Sequence, residues 1–316
     1  MMSFSQIKSP GVAQQWPSRE RVIESIANTT PWSIEPVAVY NSRGDAENTV
    51  LAPPDGAYVG VGVRLLASAE AKALKKEPWE RLAIDALGYI AFGNQLDYFW
   101  HVNFRSLFPS HSRPLRMMDW KLIVESMAML FSLGRREEAK YHGYLAYSVL
   151  ERTYQLKSSY EKHHRRVHAF MLRLFADWQG ELKHEWPPYA YDEPIYEGIL
   201  ERWREPDTKL LTPWLLAACD RHTHESTRDS ETKFFDCSAF PRTPIEILFL
   251  FRLRELIGLK NPVLNHPLME PPFEKLPEPQ SPYIPDALVE GTLARVRTDW
   301  PEFDRIVSLE ALKTAG

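Results

Sequence analysis

The chain has 316 residues, of which 44% are hydrophobic, and its formal net charge is −4. A chain of this length can bury a large core without disulfides or a structural metal. The mild acidity gives no basic field for nucleic acid or an anionic membrane, so we exclude both as predicted partners. The two cysteines, Cys219 and Cys237, are too few for a disulfide framework and indicate a cytoplasmic protein.

Residues 1–55 are predicted to form an irregular N-terminal arm that packs on the rest of the chain. Prolines punctuate this segment, and Ser18 to Ala27 is its one helix candidate. The apolar run from Val37 to Tyr40 fits a strand or an extended loop equally well. The arm lacks the charged start and apolar run of a signal peptide, and no apolar segment of the chain approaches the ~20 residues that cross a bilayer. We therefore expect neither secretion nor membrane insertion.

Residues 56–316 show helical periodicity and are predicted to form one α-helical domain. Ala57 to Leu74 and the segment that begins at Pro78 predict an antiparallel helix pair. Arg116 to Leu133, closed by Gly134, predicts the first half of an αα-hairpin. Because no fixed period recurs along the chain, a solenoid of helical repeats is only an alternative.

Prolines and capping residues mark the starts of the next helices. Ser158 and Glu161 form a capping box before a helix that has one apolar and one basic face. Pro194 is predicted to begin a further helix, and Thr212 with Pro213 to begin another.

The stretch 240–269 predicts the central helix of the fold. Thr243 and Glu246 form a second capping box, and Pro244 suits the first helical position. Gly258 supplies a left-handed exit. The body of this helix is apolar on nearly every face, which indicates that other helices surround it.

Beyond this helix the chain becomes rich in proline. Residues 259–284 are predicted to form an ordered irregular strap, and residues 285–316 to form two closing helices, from Pro285 to Arg297 and from Asp304 to Lys313. The predicted fold class is all-α: a multi-helix bundle of antiparallel αα-hairpins with an irregular N-terminal arm and a proline-rich C-terminal strap.

The densest polar cluster follows Cys219 and has several interpretations. His222 and His224 add nitrogen ligands to its carboxylates, but two residues on a helix point ~200° apart, which disfavours metal binding there. A solvated loop between helices is the simplest interpretation, and a mobile acidic loop would also suit a basic protein partner. The carboxylates predicted to contact that partner are Asp220, Glu225, Asp229, Glu231 and Asp236.

A second candidate surface lies between Trp186 and Tyr196, where aromatic and acidic residues alternate on a predicted loop. Large aromatic side chains beside polar groups are typical of protein-binding surfaces. The predicted contact residues are Trp186, Tyr189, Tyr191, Asp192 and Glu193.

No catalytic or cofactor motif is present in the sequence. His164 and His168 have the i,i+4 spacing of metal ligands, but their basic neighbours favour a solvated basic face. Gly60 to Gly62 lies in a helical pattern, and Cys219 ends an apolar helix and is expected in the core. We predict no enzyme activity, no cofactor and no metal.

The segment from Thr243 to Leu268, with the later segment from Ser281 to Leu293, resembles the C-terminal part of bacterial immunity proteins, which neutralise polymorphic or type VI secretion toxins. The resemblance covers about the last quarter of the chain. It implies a cytoplasmic, non-enzymatic helical protein of bacterial competition that binds one cognate toxin and blocks its active site.

The sequence therefore predicts an immunity protein whose acidic and aromatic surfaces bind a toxin. A basic nuclease is one class of toxin that the acidic groups would fit. The alternatives are a metal-dependent all-α hydrolase that uses the carboxylates from Asp220 to Glu231, and a helical-repeat scaffold for protein binding. The oligomeric state is not readable from the sequence.

Overall fold

The computed structural model describes residues 4, 7, 9–30, 32–42, 53–107, 120–151, 166–180, 186, 188–226 and 241–314. Every regular element in these residues is helical and none is a strand, which confirms the predicted all-α class. Two 3-10 turns, Pro188–Tyr191 and Pro267–Met269, accompany the α-helices. The α-helices are α1 (Arg19–Ala27), α2 (Glu35–Ser42), α3 (Asp55–Leu74), α4 (Glu80–Leu107), α5 (Trp120–Ser132), α6 (Arg136–Glu151), α7 (Arg166–Gln179), α8 (Pro194–Arg202), α9 (Thr208–Glu225), α10 (Ile245–Leu256), α11 (Ala287–Asp299), α12 (Phe303–Ile306) and α13 (Leu309–Thr314).

Helices α3 and α4 form the predicted antiparallel pair, and glycines bring their backbones close together. A Cβ at Gly62 would lie 2.5 Å from Ile90 Cγ1 and 2.7 Å from the carbonyl oxygen of Ala86. A Cβ at Gly93 would lie 2.8 Å from the carbonyl oxygen of Asp55. No larger residue fits at Gly62 or at Gly93. Both glycines therefore allow α3 and α4 to pack closely.

The predicted αα-hairpin consists of α5 and α6, and the strap crosses its turn. Gly134 adopts φ 76°, the left-handed conformation that this tight turn requires. The amide of Gln280 donates to the carbonyl oxygen of Leu133 at 2.9 Å, and Arg252 of α10 donates to the carbonyl oxygen of Pro277 at 2.7 Å. The strap is therefore fastened to both the hairpin and the central helix.

Helix α10 is the predicted central helix, and every residue from Ile245 to Phe251 is buried. Its predicted end is also confirmed. Gly258 adopts φ 79°, and the amide of Leu259 donates to the carbonyl oxygen of Arg254 at 2.9 Å, which is the long bond of a Schellman motif.

The predicted capping box at the start of α10 is wrong. The Thr243 hydroxyl donates to Glu70 of α3 at 2.9 Å, and the Glu246 carboxylate accepts from His222 of α9 at 2.9 Å. Both side chains therefore form hydrogen bonds with buried groups on other helices and not with the first backbone amides of α10.

The run from Val37 to Tyr40 lies within α2, so the expected strand or extended loop is wrong. Val37 and Tyr40 are three residues apart and both are buried, whereas Val39 is exposed. One helical face is therefore apolar, and the run was too short to show that period in the sequence.

Thr212 and Pro213 do not begin a helix as predicted, because α9 begins one turn earlier, at Thr208. Asp207 caps that start by accepting from the amide of Lys209 at 3.0 Å. The Thr212 hydroxyl donates to the carbonyl oxygen of Thr208 at 2.7 Å. Pro213 therefore lies inside α9, where it cannot donate the backbone bond to the carbonyl oxygen of Lys209.

The N-terminal arm packs on the helical body. The amide of Ala13 donates to the Thr223 hydroxyl at 2.8 Å, and Trp16 Nε1 donates to the carbonyl oxygen of Pro241 at 2.9 Å. Val22 of α1, whose predicted position at Ser18 to Ala27 is confirmed, belongs to the same buried cluster as the body.

The closing helices pack on the same buried cluster of apolar side chains through Val289, Phe303 and Leu312. The first is α11, close to its predicted bounds. The second is divided into α12 and α13 at Val307, which is itself buried.

We expect Gly198→Ala to lower the free energy of unfolding by about 1–3 kcal/mol, the usual range for an overpacked core. A Cβ at Gly198 of α8 would overlap the ring of Trp214, which is buried in α9. The matched control is Gly291→Ala in α11, where the nearest atom is Asn41 Nδ2 at 3.3 Å. Because alanine is the better helix former by about 1 kcal/mol, the control should be neutral or stabilising. Urea denaturation of both variants measures the difference, and equal effects would contradict it.

Candidate protein-binding surface

Trp186 and residues 188–193, which lie between α7 and α8, contact neighbouring helices and do not form an open loop. Trp186 packs edge-to-face on Tyr147 of α6, with ring centroids 5.8 Å apart. A 3-10 turn, Pro188–Tyr191, follows, and Glu193 then caps α8, whose predicted start at Pro194 is confirmed. We call Trp186, the 3-10 turn, Asp192 and Glu193 the aromatic corner.

Three arginines hold this corner and the first turn of α8 in place. Arg166 and Arg173 lie seven residues apart on one face of α7, and Arg221 lies on α9. The predicted basic face of α7 is therefore used to bind carboxylates. The ion pairs are Arg166–Asp192, Arg173–Glu197 and Arg221–Glu193.

These pairs change the electrostatic character that the sequence predicts for the corner. Each of its carboxylates has an arginine partner, so the local charge is balanced rather than acidic. Burial lowers the pKa of Arg166, but the hydrogen bond and charge of Asp192 outweigh burial and raise that pKa above its usual value. A binding partner would therefore contact both arginine and carboxylate side chains at this corner.

Tyr191 is the exposed aromatic side chain of the corner, with 49% of its surface accessible. The guanidinium carbon of Arg173 lies 4.4 Å from its ring centroid, within the range of a cation–π contact. Arg173 also donates to the carbonyl oxygen of Ala190 at 2.5 Å. Tyr191 is therefore held in one orientation while its ring stays partly accessible.

The structure distributes the other predicted contact residues over different environments. Tyr189 belongs to the 3-10 turn, but its side chain lies outside the described atoms. Asp229, Glu231 and Asp236 lie outside the described residues. Asp220 and Glu225 are in the last turns of α9, so the expectation that the acidic loop includes them is wrong.

Neither of these two carboxylates is presented freely to solvent. Asp220 accepts from Ser9 and, at 3.1 Å, from His266 Nε2, which joins the arm and the strap to α9. Glu225 has 1% of its surface accessible and pairs with Arg221 at 2.8 Å. Glu225 is therefore part of the interior and is not accessible to a binding partner.

The histidines that suggested metal binding are separated and have different partners. His224 Nε2 donates to the carbonyl oxygen of Gly11 at 2.9 Å, while His222 faces Glu246. His168 is fully buried and lies 2.9 Å from Glu125, so its predicted place on a solvated basic face is wrong. His164 lies outside the described residues. Within the described ranges, no group of three His, Cys, Asp or Glu residues could hold a metal ion.

Sequence reasoning missed the buried carboxylates Glu70, Glu125 and Glu246. A usable signal existed for two of them. Glu125 and Glu246 each interrupt a helix that is apolar on nearly all faces, and a carboxylate in such a place needs a partner. Cys219 is buried as predicted.

Among the helices that the structure describes, none combines the length and apolarity of a membrane span. Comparisons of the chain with protein-family models, with curated proteins and with solved structures found no match. The resemblance to immunity proteins therefore stays a prediction.

Proposed function

We propose that this protein is an immunity-type inhibitor that binds a cognate secreted toxin and covers its active site. The supporting observation is the aromatic corner, where Tyr191 is half exposed and its orientation is fixed by Arg173. The resemblance of the C-terminal quarter supplies the toxin as partner, and the helical body supplies a rigid platform.

Pre-organisation is the physical reason for choosing this surface. A side chain that is ordered before binding loses little conformational entropy on binding, so more of its contact energy contributes to affinity. Tyrosine and arginine are also the residues that most often dominate binding energy in interfaces. Tyr191, with Arg173 behind it, combines both within one contact.

Charge then influences which partner fits. The net charge of −4 favours approach of a basic protein at long range. At contact, the paired Asp192 carboxylate, with 38% of its side chain accessible, can accept a further hydrogen bond from a cationic partner group. We therefore place a basic effector domain against Tyr191 and Asp192.

Co-expression with the product of the adjacent gene tests the proposal most directly. We expect that product to arrest growth when expressed alone, to be neutralised by this protein, and to co-purify with it. A neighbouring product that is neither toxic nor bound would overturn the proposal.

Within such a complex, Tyr191→Ala is expected to weaken binding about thirtyfold or more, the loss of about 2 kcal/mol that marks an interface hot spot. Titration calorimetry with the purified partner measures this change. The matched control is Leu210→Ala, an equally exposed apolar residue near the start of α9. It lies about 16 Å along that helix from Arg221, away from the corner. Equal affinities for both variants would remove the corner from the interface.

The two alternatives receive less support from the described residues. Of the polar cluster assigned to a hydrolase, Asp220, His222, His224 and Glu225 have separate partners, and Asp229 and Glu231 lie outside the described residues. The antiparallel pairs differ in length, with 20 and 28 residues in α3 and α4 against 13 and 16 in α5 and α6. They are not copies of one repeat unit.

A further inference from the structure

The aromatic corner alone is too small to hold a protein partner. It contains seven residues, namely Trp186, the four residues of its 3-10 turn, Asp192 and Glu193. A specific protein–protein interface usually takes about 20–30 residues from each side. The partner therefore contacts a wider area, and the candidates for that area are ordered, accessible residues that adjoin the corner.

Side-chain contacts lead from the corner to the last turns of α9. Glu193 pairs with Arg221 of α9 at 3.2 Å. His224 follows Arg221 by three residues, and residues at this spacing are neighbours on one face of a helix. Arg221 has 24% of its side chain accessible, and His224 is half-buried. The corner and the end of α9 thus form one continuous, partly accessible surface.

The N-terminal arm continues this surface. His224 Nε2 donates to the carbonyl oxygen of Gly11 at 2.9 Å, and the amide of Ala13 donates to the hydroxyl of Thr223, which is buried, at 2.8 Å. These two bonds flank Val12, an apolar residue with 43% of its surface accessible. Val12 is therefore exposed while the backbone on each side of it is fixed to α9.

The arm beyond Val12 is also fastened to the helical body. Trp16 Nε1 donates to the carbonyl oxygen of Pro241 at 2.9 Å, and the guanidinium carbon of Arg242 lies 3.7 Å from the centroid of the Trp16 ring. A segment that is ordered before binding loses little conformational entropy when a partner covers it. Burial of an exposed apolar side chain then contributes to affinity. Val12 therefore has the properties of an interface contact.

We propose that the N-terminal arm is a second part of the partner-binding surface, and that the basic effector domain placed against Tyr191 and Asp192 also covers Val12. This inference rests on the proposed function, because it assigns a further contact to the same partner. Continuity from Glu193 through Arg221 to the arm supports one occupant for both parts. The area that a stable complex needs supports it as well.

Val12→Lys tests the arm in the complex with the product of the adjacent gene. Lysine replaces an apolar contact with a positive charge, and a like charge against a basic partner is unfavourable. We expect binding to weaken about tenfold or more, as measured by titration calorimetry. The matched control is Leu210→Lys, which makes the same change at another exposed apolar residue, about 21 Å along α9 from His224. It should leave the affinity close to that of the wild type.

Val12→Glu separates the charge of the partner from the loss of the valine. This variant loses the same apolar contact but places a negative charge against the basic partner. It should therefore bind more tightly than Val12→Lys, by about threefold or more. Equal weakening by both variants would overturn the placement of a basic surface over Val12. Circular dichroism confirms that each variant is folded.

The outcomes distinguish this inference from the proposed function. If Tyr191→Ala weakens binding and Val12→Lys does not, the arm lies outside the interface and this inference alone is overturned. If the adjacent product does not bind the wild type, the proposed function is overturned, and this inference with it. Sedimentation of the protein without its partner provides one more check. A dimer that Val12→Lys dissociates would show that a second copy covers Val12, which also overturns the inference.

Discussion

Replacing Glu246 by alanine is expected to lower the free energy of unfolding by about 1–3 kcal/mol, the usual loss when one partner of a buried hydrogen bond is removed. Glu246 of α10 and His222 of α9 are both fully buried. His222 Nδ1 lies 2.9 Å and 3.2 Å from the two carboxylate oxygens. Without Glu246, His222 keeps its burial and loses this partner, and the central helix loses a link to α9.

Chemical denaturation monitored by circular dichroism measures the loss. The control is Glu255→Ala at the far end of the same helix, where the carboxylate is half exposed and pairs with Arg252. Exposed pairs contribute about 0–1 kcal/mol, so the control should change stability little.

A double variant separates the loss of a partner from the loss of volume. In His222→Leu/Glu246→Leu both polar groups are gone and two apolar side chains of similar size replace them. Such replacements are often neutral or stabilising, so we expect most of the stability lost in Glu246→Ala to return. If the double variant is as unstable as Glu246→Ala, packing and not the loss of the His222–Glu246 bond causes the loss of stability.

The sequence predicted those parts of the fold that depend on neighbouring residues. The left-handed exit at Gly258, the short helix from Ser18 to Ala27 and the hairpin turn at Gly134 are each determined within a few residues, and all three are confirmed. Thr243 was assigned to the same kind of local bond, but Glu70, 173 residues away, takes its hydroxyl. A sequence pattern contains no information about a partner so distant in the chain.

The same distinction applies to the candidate site. The aromatic and acidic residues from Trp186 to Glu193 were found because they are consecutive. The arginines that pair with these carboxylates were not found, since Arg166 is 26 residues from Asp192, and Arg221, which pairs with Glu193, lies on α9. Composition therefore gave the residues of the candidate surface but the wrong local charge, because that charge depends on ion pairs formed by packing.

Buried acid–histidine pairs follow the same rule. Glu125 with His168 and Glu246 with His222 join different helices, and each pair is fully buried. Asp220 with His266 joins α9 to the segment after the central helix. These pairs link different parts of the fold, and His168 and His222 were interpreted from the sequence as surface groups because their partners lie far away in the chain.

Glu70→Gln is expected to remove a strong pH dependence from the stability of this protein. Glu70 is 3% exposed, and burial raises its pKa to about 8, partly offset by hydrogen bonds from the Arg242 amide and the Thr243 hydroxyl. Between an unfolded pKa of about 4.5 and the folded value, the folded state keeps a proton that the unfolded state has released.

Wild-type stability should therefore fall as the pH rises through this window, by about 1.4 kcal/mol per pH unit at most. Below this window Glu70 is protonated in both the folded and the unfolded state, and above it Glu70 is ionised in both. Neither range therefore adds to the change in stability. Glutamine keeps the oxygen that accepts from Arg242 and Thr243 but has no proton to lose. The variant should be more stable than the wild type at pH 8 and similar to it near pH 4.5.

Urea denaturation of both proteins from pH 5 to pH 8.5 gives the two profiles, and their difference isolates Glu70. The difference is needed because burial lowers the pKa values of His142 and His266, which raises stability as the pH increases through the acidic range. The exposed Glu77→Gln is the control and should keep the wild-type profile. Parallel profiles for wild type and Glu70→Gln would show that Glu70 does not hold its proton in the folded state. The Arg242 amide and the Thr243 hydroxyl would then stabilise a buried carboxylate, and the junction between α3 and the start of α10 would be held by a charged group.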